Sequence, residues 1–87
     1  MLYCFVAYLY PGVHSPELVS EEMLAHSKVQ VMTLAQAEKL GFSGVPPHPD
    51  GGEVWLIMGR KQDVNWLQRS LDSNPAVAQY QMVEVDL

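Results

Sequence analysis

The stretch that decides the fold is LYCFVAYLY, residues 2 to 10, which runs into Pro11 and Gly12. Aromatic and β-branched residues followed by a proline-glycine pair are typical of a β-strand that leads into a turn. Successive side chains of a strand point to opposite faces. One face carries Leu2, Cys4, Val6, Tyr8 and Tyr10, and the other carries Tyr3, Phe5, Ala7 and Leu9. Since both faces are apolar, this strand is predicted to be central and covered on both sides.

The next segment predicts a helix and a short strand. Ser15, Pro16 and Glu17 have the chemistry of a helix start: a capping hydroxyl, a proline at the first helical position and an acid near the positive end of the dipole. KVQVM, residues 28 to 32, alternates as a short edge strand should. Only two residues, Val29 and Val31, carry this alternation. The alternative of one long helix over residues 16 to 40 therefore stays open.

A second short helix, residues 34 to 40, is predicted before the third strand. Thr33 and Gln36 have the spacing of a capping box, and Gly41 has the position of a glycine stop. The residues from 41 to 52 are predicted to form a loop.

The second half of the chain predicts a strand, a helix and a strand. EVWLIMG, residues 53 to 59, is again apolar on both faces. Asp63 is a candidate cap for a helix that ends at Asn74 and Pro75. The inward side of this helix is expected to carry Val64, Leu67 and Leu71. AVAQYQMVEVDL, residues 76 to 87, predicts the last strand.

This order of elements predicts an α+β fold. With right-handed crossovers it becomes the ferredoxin-like split βαβ sandwich, with strand order 4-1-3-2 and an extra short helix between the second and third strands. We expect one ferredoxin-like domain over residues 1 to 87. Helices on one face would leave the other face bare. Because a large exposed apolar patch usually marks an interface, two sheets are expected to pack face to face in a homodimer.

The segment GGEVWLIMGRKQDVNWLQRSLDSNPAVAQYQMVEVDL, residues 51 to 87, resembles the end of the dimeric α+β barrel families, particularly the muconolactone isomerase-like and YCII-like small proteins. The shared pattern is a strand, a helix of the type DVNWLQRSL, an NP break and a strand of the type YQMVEVDL. The resemblance implies a ferredoxin-like fold that pairs as a dimeric α+β barrel. The isomerase family's long helix and basic, tryptophan-containing segment have no counterpart in GFSGVPPHPDGG, residues 41 to 52, so no catalytic residue is carried over.

Charge and cysteine content exclude several classes of function. Ten acidic and five basic residues give a net charge of −5, and only Arg60 and Lys61 are adjacent, so nucleic-acid binding is not expected. The single cysteine, Cys4, rules out a disulfide framework within one chain and fits a reducing cytoplasm. The first ten residues lack a basic start and stop at Pro11, so neither a leader peptide nor a membrane span is expected.

His48 stands in PPHPDGG, residues 46 to 52, a stiff loop that could hold it at the rim of a pocket. In a 4-1-3-2 sheet this loop shares one end with the turn after the first strand, so His14, His48, Asp50 and Asp72 should converge. His14 or His48 is a candidate proton-transfer base whose imidazole is oriented by Asp50 or Asp72. The alternative is a solvated turn whose prolines and glycines only fix the backbone. His14, His48 and Asp50 are of the residue types that bind zinc, but their spacing matches no zinc signature, so no metal or cofactor is predicted.

Tyr8, Tyr10, Trp55 and Asp72 are candidate ligand-binding residues at the same end, although aromatic residues on sheet faces are more often core. The main hypothesis is a cytoplasmic homodimer that binds a small organic molecule. Whether it is an enzyme stays open, and proton-transfer isomerisation or a related step is the chemistry expected if it is. The alternative is a non-catalytic acidic interaction protein that docks to a larger partner through its apolar sheet face.

Overall fold

The computed structural model describes residues 2–14, 16–46 and 48–85. The fold is α+β, a four-stranded antiparallel open sheet with three helices. The elements follow in the order β1 (Leu2–Leu9), α1 (Glu21–His26), β2 (Gln30–Thr33), α2 (Leu34–Lys39), β3 (Val54–Arg60), a 3-10 turn (Lys61–Asp63), α3 (Val64–Asp72) and β4 (Val77–Val85).

The sheet has the strand order β2-β3-β1-β4, which is 4-1-3-2 counted from the opposite edge. β1 pairs antiparallel with both β3 and β4, so that Val6 lies opposite Leu56 on one side and Gln81 on the other. β2 pairs with the far side of β3. β1 and β3 are therefore the two central strands, and the arrangement is compatible with a ferredoxin-like fold.

The front face of the sheet, which carries Phe5, Ala7 and Leu9 of β1, packs against α3 and the segments on either side of α1. All three residues have an exposed fraction of 0%. The other buried residues of this layer are Leu18, Val19, Val29, Ile57, Leu67 and Leu71. This layer is the main core of the protein.

The rear face, which carries Cys4, Val6 and Tyr8 of β1, packs against α2 and against the residues that follow it. Ala37 of α2 is fully buried there, and Phe42 is half-buried against the same cluster. The prediction of a bare rear face is therefore wrong over most of the sheet, because the extra short helix folds back onto it. On β4 the rear side chains of Gln79, Gln81 and Val83 stay exposed, as does Gln30 at the start of β2.

α1 begins later than the sequence pattern predicts. Its N-cap is Ser20, whose Oγ accepts the N–H of Met23 at 3.3 Å. The predicted cap, Ser15, lies outside the described residues, but residues 16 to 19 are not helical. Leu18 and Val19 enter the front core from this non-helical segment, and no residue of α1 is buried.

α2 forms where its end signals predict it. Thr33 Oγ1 accepts the N–H of Gln36 at 3.2 Å, and Gln36 Oε1 accepts the N–H of Thr33 at 2.9 Å, which completes the capping box. Gly41 follows the helix with a φ of +97°, a left-handed conformation that glycine adopts without steric cost. Since β2 lies between α1 and α2, the alternative of one long helix from 16 to 40 is excluded.

α3 is held to β3 by Asp63, the last residue of the 3-10 turn. Its buried carboxylate accepts the N–H of Arg60 at 3.1 Å and the indole N–H of Trp66 at 3.0 Å. Asp63 therefore sits at the start of α3 as predicted, but it caps the preceding 3-10 turn through its side chain. Leu67 and Leu71 are buried in the front core, as the helical spacing predicts.

The burial of α2 against the rear face gives a direct test. Ala37→Glu places a carboxylate among apolar side chains, so the free energy of unfolding should fall by about 2 to 4 kcal/mol. Ala35→Glu, at an exposed position of the same helix, should leave it within about 0.5 kcal/mol. Urea denaturation measures both. Equal effects of the two substitutions would mean that α2 does not pack on the sheet.

Candidate functional site

The turn after β1 and the loop before β3 meet at one end of the sheet. The N–H of Leu9 donates to the carbonyl of Glu53 at 3.0 Å, and the N–H of Tyr10 donates to the carbonyl of Ala76 at 3.0 Å. These bonds tie the end of β1 to the starts of β3 and β4. His14 and His48 lie in connections at this end, and Asp72 is the last residue of α3, which leads back to it through the start of β4.

His14 is paired with a carboxylate that the sequence analysis did not single out. Its Nδ1 lies 2.6 Å from Oε2 of Glu53, and the other oxygen of Glu53 accepts the indole N–H of Trp55 at 2.9 Å. The hydrogen bond from His14, and then that from Trp55, lowers the pKa of Glu53 below its ordinary value. Glu53 could have been found from its place two residues before Trp55, because residues i and i+2 of an extended segment share a face.

His48 is held by backbone groups on both sides of its ring. Its Nε2 lies 2.5 Å from the carbonyl of Leu9, and its Nδ1 accepts the N–H of Asp50 at 2.9 Å. This pattern assigns the ring proton to Nε2 and uses both nitrogens. Asp50 meets the imidazole through its backbone rather than its carboxylate. The geometry is that of a residue that fixes the loop, and a catalytic role for His48 or Asp50 stays a prediction.

Three residues fasten the loop to the end of β1, and we call them the loop clamp: Tyr8, His48 and Gly52. The hydroxyl of Tyr8 donates to the carbonyl of Pro46 at 3.1 Å, and its ring lies edge-on to His48 with centroids 5.7 Å apart. A Cβ on Gly52 would stand 2.5 Å from the carbonyl oxygen of Leu9 and 2.7 Å from Nε2 of His48. Only glycine therefore allows the loop to approach β1 this closely.

The predicted ligand-binding residues do not share one pocket. Tyr8 is buried on the rear face, whereas Trp55 packs against the front core, so the sheet separates them. Tyr10 is 52% exposed. The carboxylate of Asp72 accepts the hydroxyl of Tyr80 at 2.7 Å, and this bond is the main reason that the pKa of Tyr80 is raised. Of the four candidates, Tyr8 alone lines a cleft among those described below.

A groove runs along the rear face between β4 and the residues that follow α2, and we call it the rear groove. It consists of two adjoining clefts of about 300 and 360 Å³, which share Pro46 and Gln81. The floor of the first cleft is formed by Cys4, Val6 and Leu56, which are at most 3% exposed. The second cleft reaches Tyr8 at the end that holds the loop clamp.

The rear groove has two long walls. One wall is the segment from Phe42 to Pro46, and the other is β4, with the rear-facing side chains of Gln81 and Val83. Burial raises the pKa of the Cys4 thiol on the floor, so the thiol stays protonated and contributes an apolar surface. A larger cleft of about 560 Å³ lies beside α1, and none of the predicted site residues lines it.

No protein-family model matches the chain, and no curated protein matches it. The resemblance to dimeric α+β barrels therefore stays a prediction. In residues 2–14, 16–46 and 48–85, no group of three or more His, Cys, Asp or Glu side chains could hold a metal ion. The helices within these ranges are also too short and too polar to cross a membrane.

The pairing of His14 with Glu53 predicts a measurable titration change. In His14→Ala, the pKa of Glu53 should rise towards its ordinary value of 4.5, because the first cause of its lowering is gone. A group with a lowered folded pKa stabilises the fold above its unfolded pKa, and the contribution is lost as the pH falls through the folded pKa. Carbon-13 NMR titration of the Glu53 carboxyl, with His26→Ala as control, measures the change. An unaltered Glu53 titration in His14→Ala would contradict the pairing.

The loop clamp predicts a stability effect for His48. His48→Ala removes two hydrogen bonds to the backbone and should lower the free energy of unfolding by about 1 to 2 kcal/mol. The amide of Asp50, left without its acceptor, should exchange faster with solvent. His26→Ala, at an exposed position on α1, is the matched control. If the two alanine variants unfold at the same urea concentration, His48 does not hold the loop.

Proposed function

We propose that the protein binds a small organic molecule in the rear groove. The observation that carries the proposal is a cleft beside β4 whose floor is formed by the apolar side chains of Cys4, Val6 and Leu56. Each cleft of about 300 to 360 Å³ lies at the lower end of the range of ligand sites. A ligand of a few rings or a short branched chain would fit.

The lining favours a neutral or weakly cationic ligand with one flat apolar side. The floor offers only apolar contact, while the Ser43 hydroxyl and the Gln81 amide supply donors and acceptors at the walls. The net charge of −5 disfavours anions. Aromatic or alicyclic compounds with a single polar group meet these requirements.

The loop clamp supports this proposal because it fixes one wall of the groove. Tyr8 of β1 donates to the carbonyl of Pro46 at the end of this wall, and His48 ties the residues that follow to the carbonyl of Leu9. A wall that is already ordered costs less conformational entropy when a ligand binds. In this interpretation His48 acts on binding through the position of the loop.

Proton-transfer isomerisation or a related step remains the reaction to test if the protein is an enzyme. His14 is the better placed base of the two candidates, because Glu53 orients its Nδ1 at 2.6 Å. Its Nε2 makes no hydrogen bond to residues 2–14, 16–46 or 48–85. Its side chain is 75% exposed, so a substrate would have to extend from the groove past the end of β1 to reach it. Ligand binding does not depend on this step.

A homodimer and a cytoplasmic location are further parts of the proposal. The apolar sequence supports the homodimer, and the single buried cysteine supports the cytoplasmic location.

The second candidate function is a non-catalytic acidic protein that docks to a larger partner. Docking through the apolar rear face has less support, since α2 already covers most of that face. The exposed side of β4 is the surface that favours this candidate.

Binding in the rear groove can be tested with two neighbouring residues on β4. Val83 is 47% exposed and lines the groove, whereas Met82 is 42% exposed and lies on the opposite face. Val83→Trp should fill the groove and weaken the binding of phenol, indole and similar neutral fragments about tenfold or more. Met82→Trp should leave it unchanged. Two-dimensional amide NMR titrations measure both dissociation constants.

The wild-type titration should shift the amide signals of Gln81, Val83 and the segment 42 to 46. The proposal fails if no fragment shifts these signals. It also fails if Val83→Trp and Met82→Trp bind the fragments equally well.

A further inference from the structure

β4 forms an open edge of the sheet that lacks the usual protection against pairing. It spans nine residues and pairs only with β1. An edge strand presents a row of unpaired N–H and carbonyl groups, which proteins normally protect with lysine, proline, bulges or a short strand. VAQYQMVEV contains neither lysine nor proline, and its one charged residue is Glu84. The register shift opposite Tyr8 and Leu9 affects only its start.

The opposite edge of the sheet is protected in the ways that β4 is not. β2 has four residues, of which Met32 is buried, and Val31 and Thr33 are half-buried. The segment that leads into α1 lies beside Val31, and α2 begins directly after Thr33. On β4, by contrast, every residue from Gln81 to Glu84 is exposed. A further strand that joins the sheet is therefore expected to pair with β4.

We infer that two copies of the chain pair antiparallel through β4, with Gln81 at the two-fold axis. Gln81 is the middle residue of Val77–Val85, so this register gives the longest overlap. A two-fold axis perpendicular to the sheet keeps the front faces of both copies on the same side. It places Gln79 beside Val83 of the second copy on the rear face, and Tyr80 beside Met82 on the front face.

The charges and side chains of β4 fit this register. Glu84 lies opposite Ala78 of the second copy, so no like charges face each other across the axis. On the front face, Tyr80 of one copy meets Met82 of the other, which is 42% exposed. The Tyr80 ring already packs edge-on to Phe5 of its own chain, with the ring centroids 5.9 Å apart. Backbone hydrogen bonds of the new strand pair add to these contacts.

Edge pairing has a consequence for the rear groove. The wall of the groove made by Gln79, Gln81 and Val83 would adjoin the same residues of the second copy, so the two grooves would form one surface across the axis. The second copy would add Val83 beside Gln79 of the first. The inference about pairing stands on the edge strand itself and holds whether or not the groove binds a ligand.

The test uses the fact that Gln81 would face its own copy. Gln81→Lys and Gln81→Glu each place like charges directly opposite at the axis, so each should weaken the dimer about fivefold at low ionic strength. An equimolar mixture of the two variants should restore the association as a heterodimer. Sedimentation velocity of the full chain over a range of concentrations measures the dissociation constants. The matched controls are Gln30→Lys and Gln30→Glu, at an exposed position on β2.

The two signs of charge separate edge pairing from a general charge effect. The chain has a net charge of −5, so overall repulsion alone would make Gln81→Lys strengthen a dimer and Gln81→Glu weaken it. Edge pairing requires both to weaken it and the mixture to recover. The inference is overturned if the wild-type chain is monomeric at all concentrations. It is equally overturned if the Gln81 and Gln30 variants associate alike, or if mixing does not restore the dimer.

Discussion

The structure depends on the burial of β1 on both faces. Phe5, Ala7 and Leu9 require a front layer, and Cys4, Val6 and Tyr8 require a rear layer. At about 25 cal/mol per Å² of apolar surface, a strand left open to water on either face would forfeit several kcal/mol. A chain of 87 residues has little material for two layers. It supplies the second layer with one short helix and a loop, and this economy is what leaves the rear side of β4 uncovered.

Much of the fold could be predicted from local patterns. The apolar stretches at residues 2 to 10 and 53 to 59, the capping box at Thr33 and the glycine at Gly41 each carry their own signal, and each element forms. The start of α1 could not be predicted in this way, because Ser15 and Ser20 are equally good caps by their own chemistry. What decides between them is the burial of Leu18 and Val19 ahead of the helix, which depends on the rest of the core. The side on which α2 packs is likewise a tertiary property.

The candidate site, like the fold, could be predicted only in part from local patterns. The strand directions predict that His14 and His48 lie at one end of the sheet, and that placement needs no side-chain detail. Their partners lie 39 residues away along the chain, Glu53 for His14 and Leu9 for His48, and no local pattern identifies them. The prolines and glycines around His48 indicate a stiff loop, and the loop is held as they suggest. The loop forms a wall of the rear groove only because the chain itself covers the rear face, and no local pattern predicts that coverage.

The most direct test of this account asks which chain covers the rear face. Isotope-filtered NOE spectroscopy on an equal mixture of labelled and unlabelled protein separates contacts within a chain from contacts between chains. We predict methyl NOEs between Ala37 of α2 and the rear-face side chains Met32 and Leu56, and we predict that these NOEs arise within one chain. NOEs from these methyl groups that arise only between chains, or no contact of Ala37 with the sheet, would contradict it.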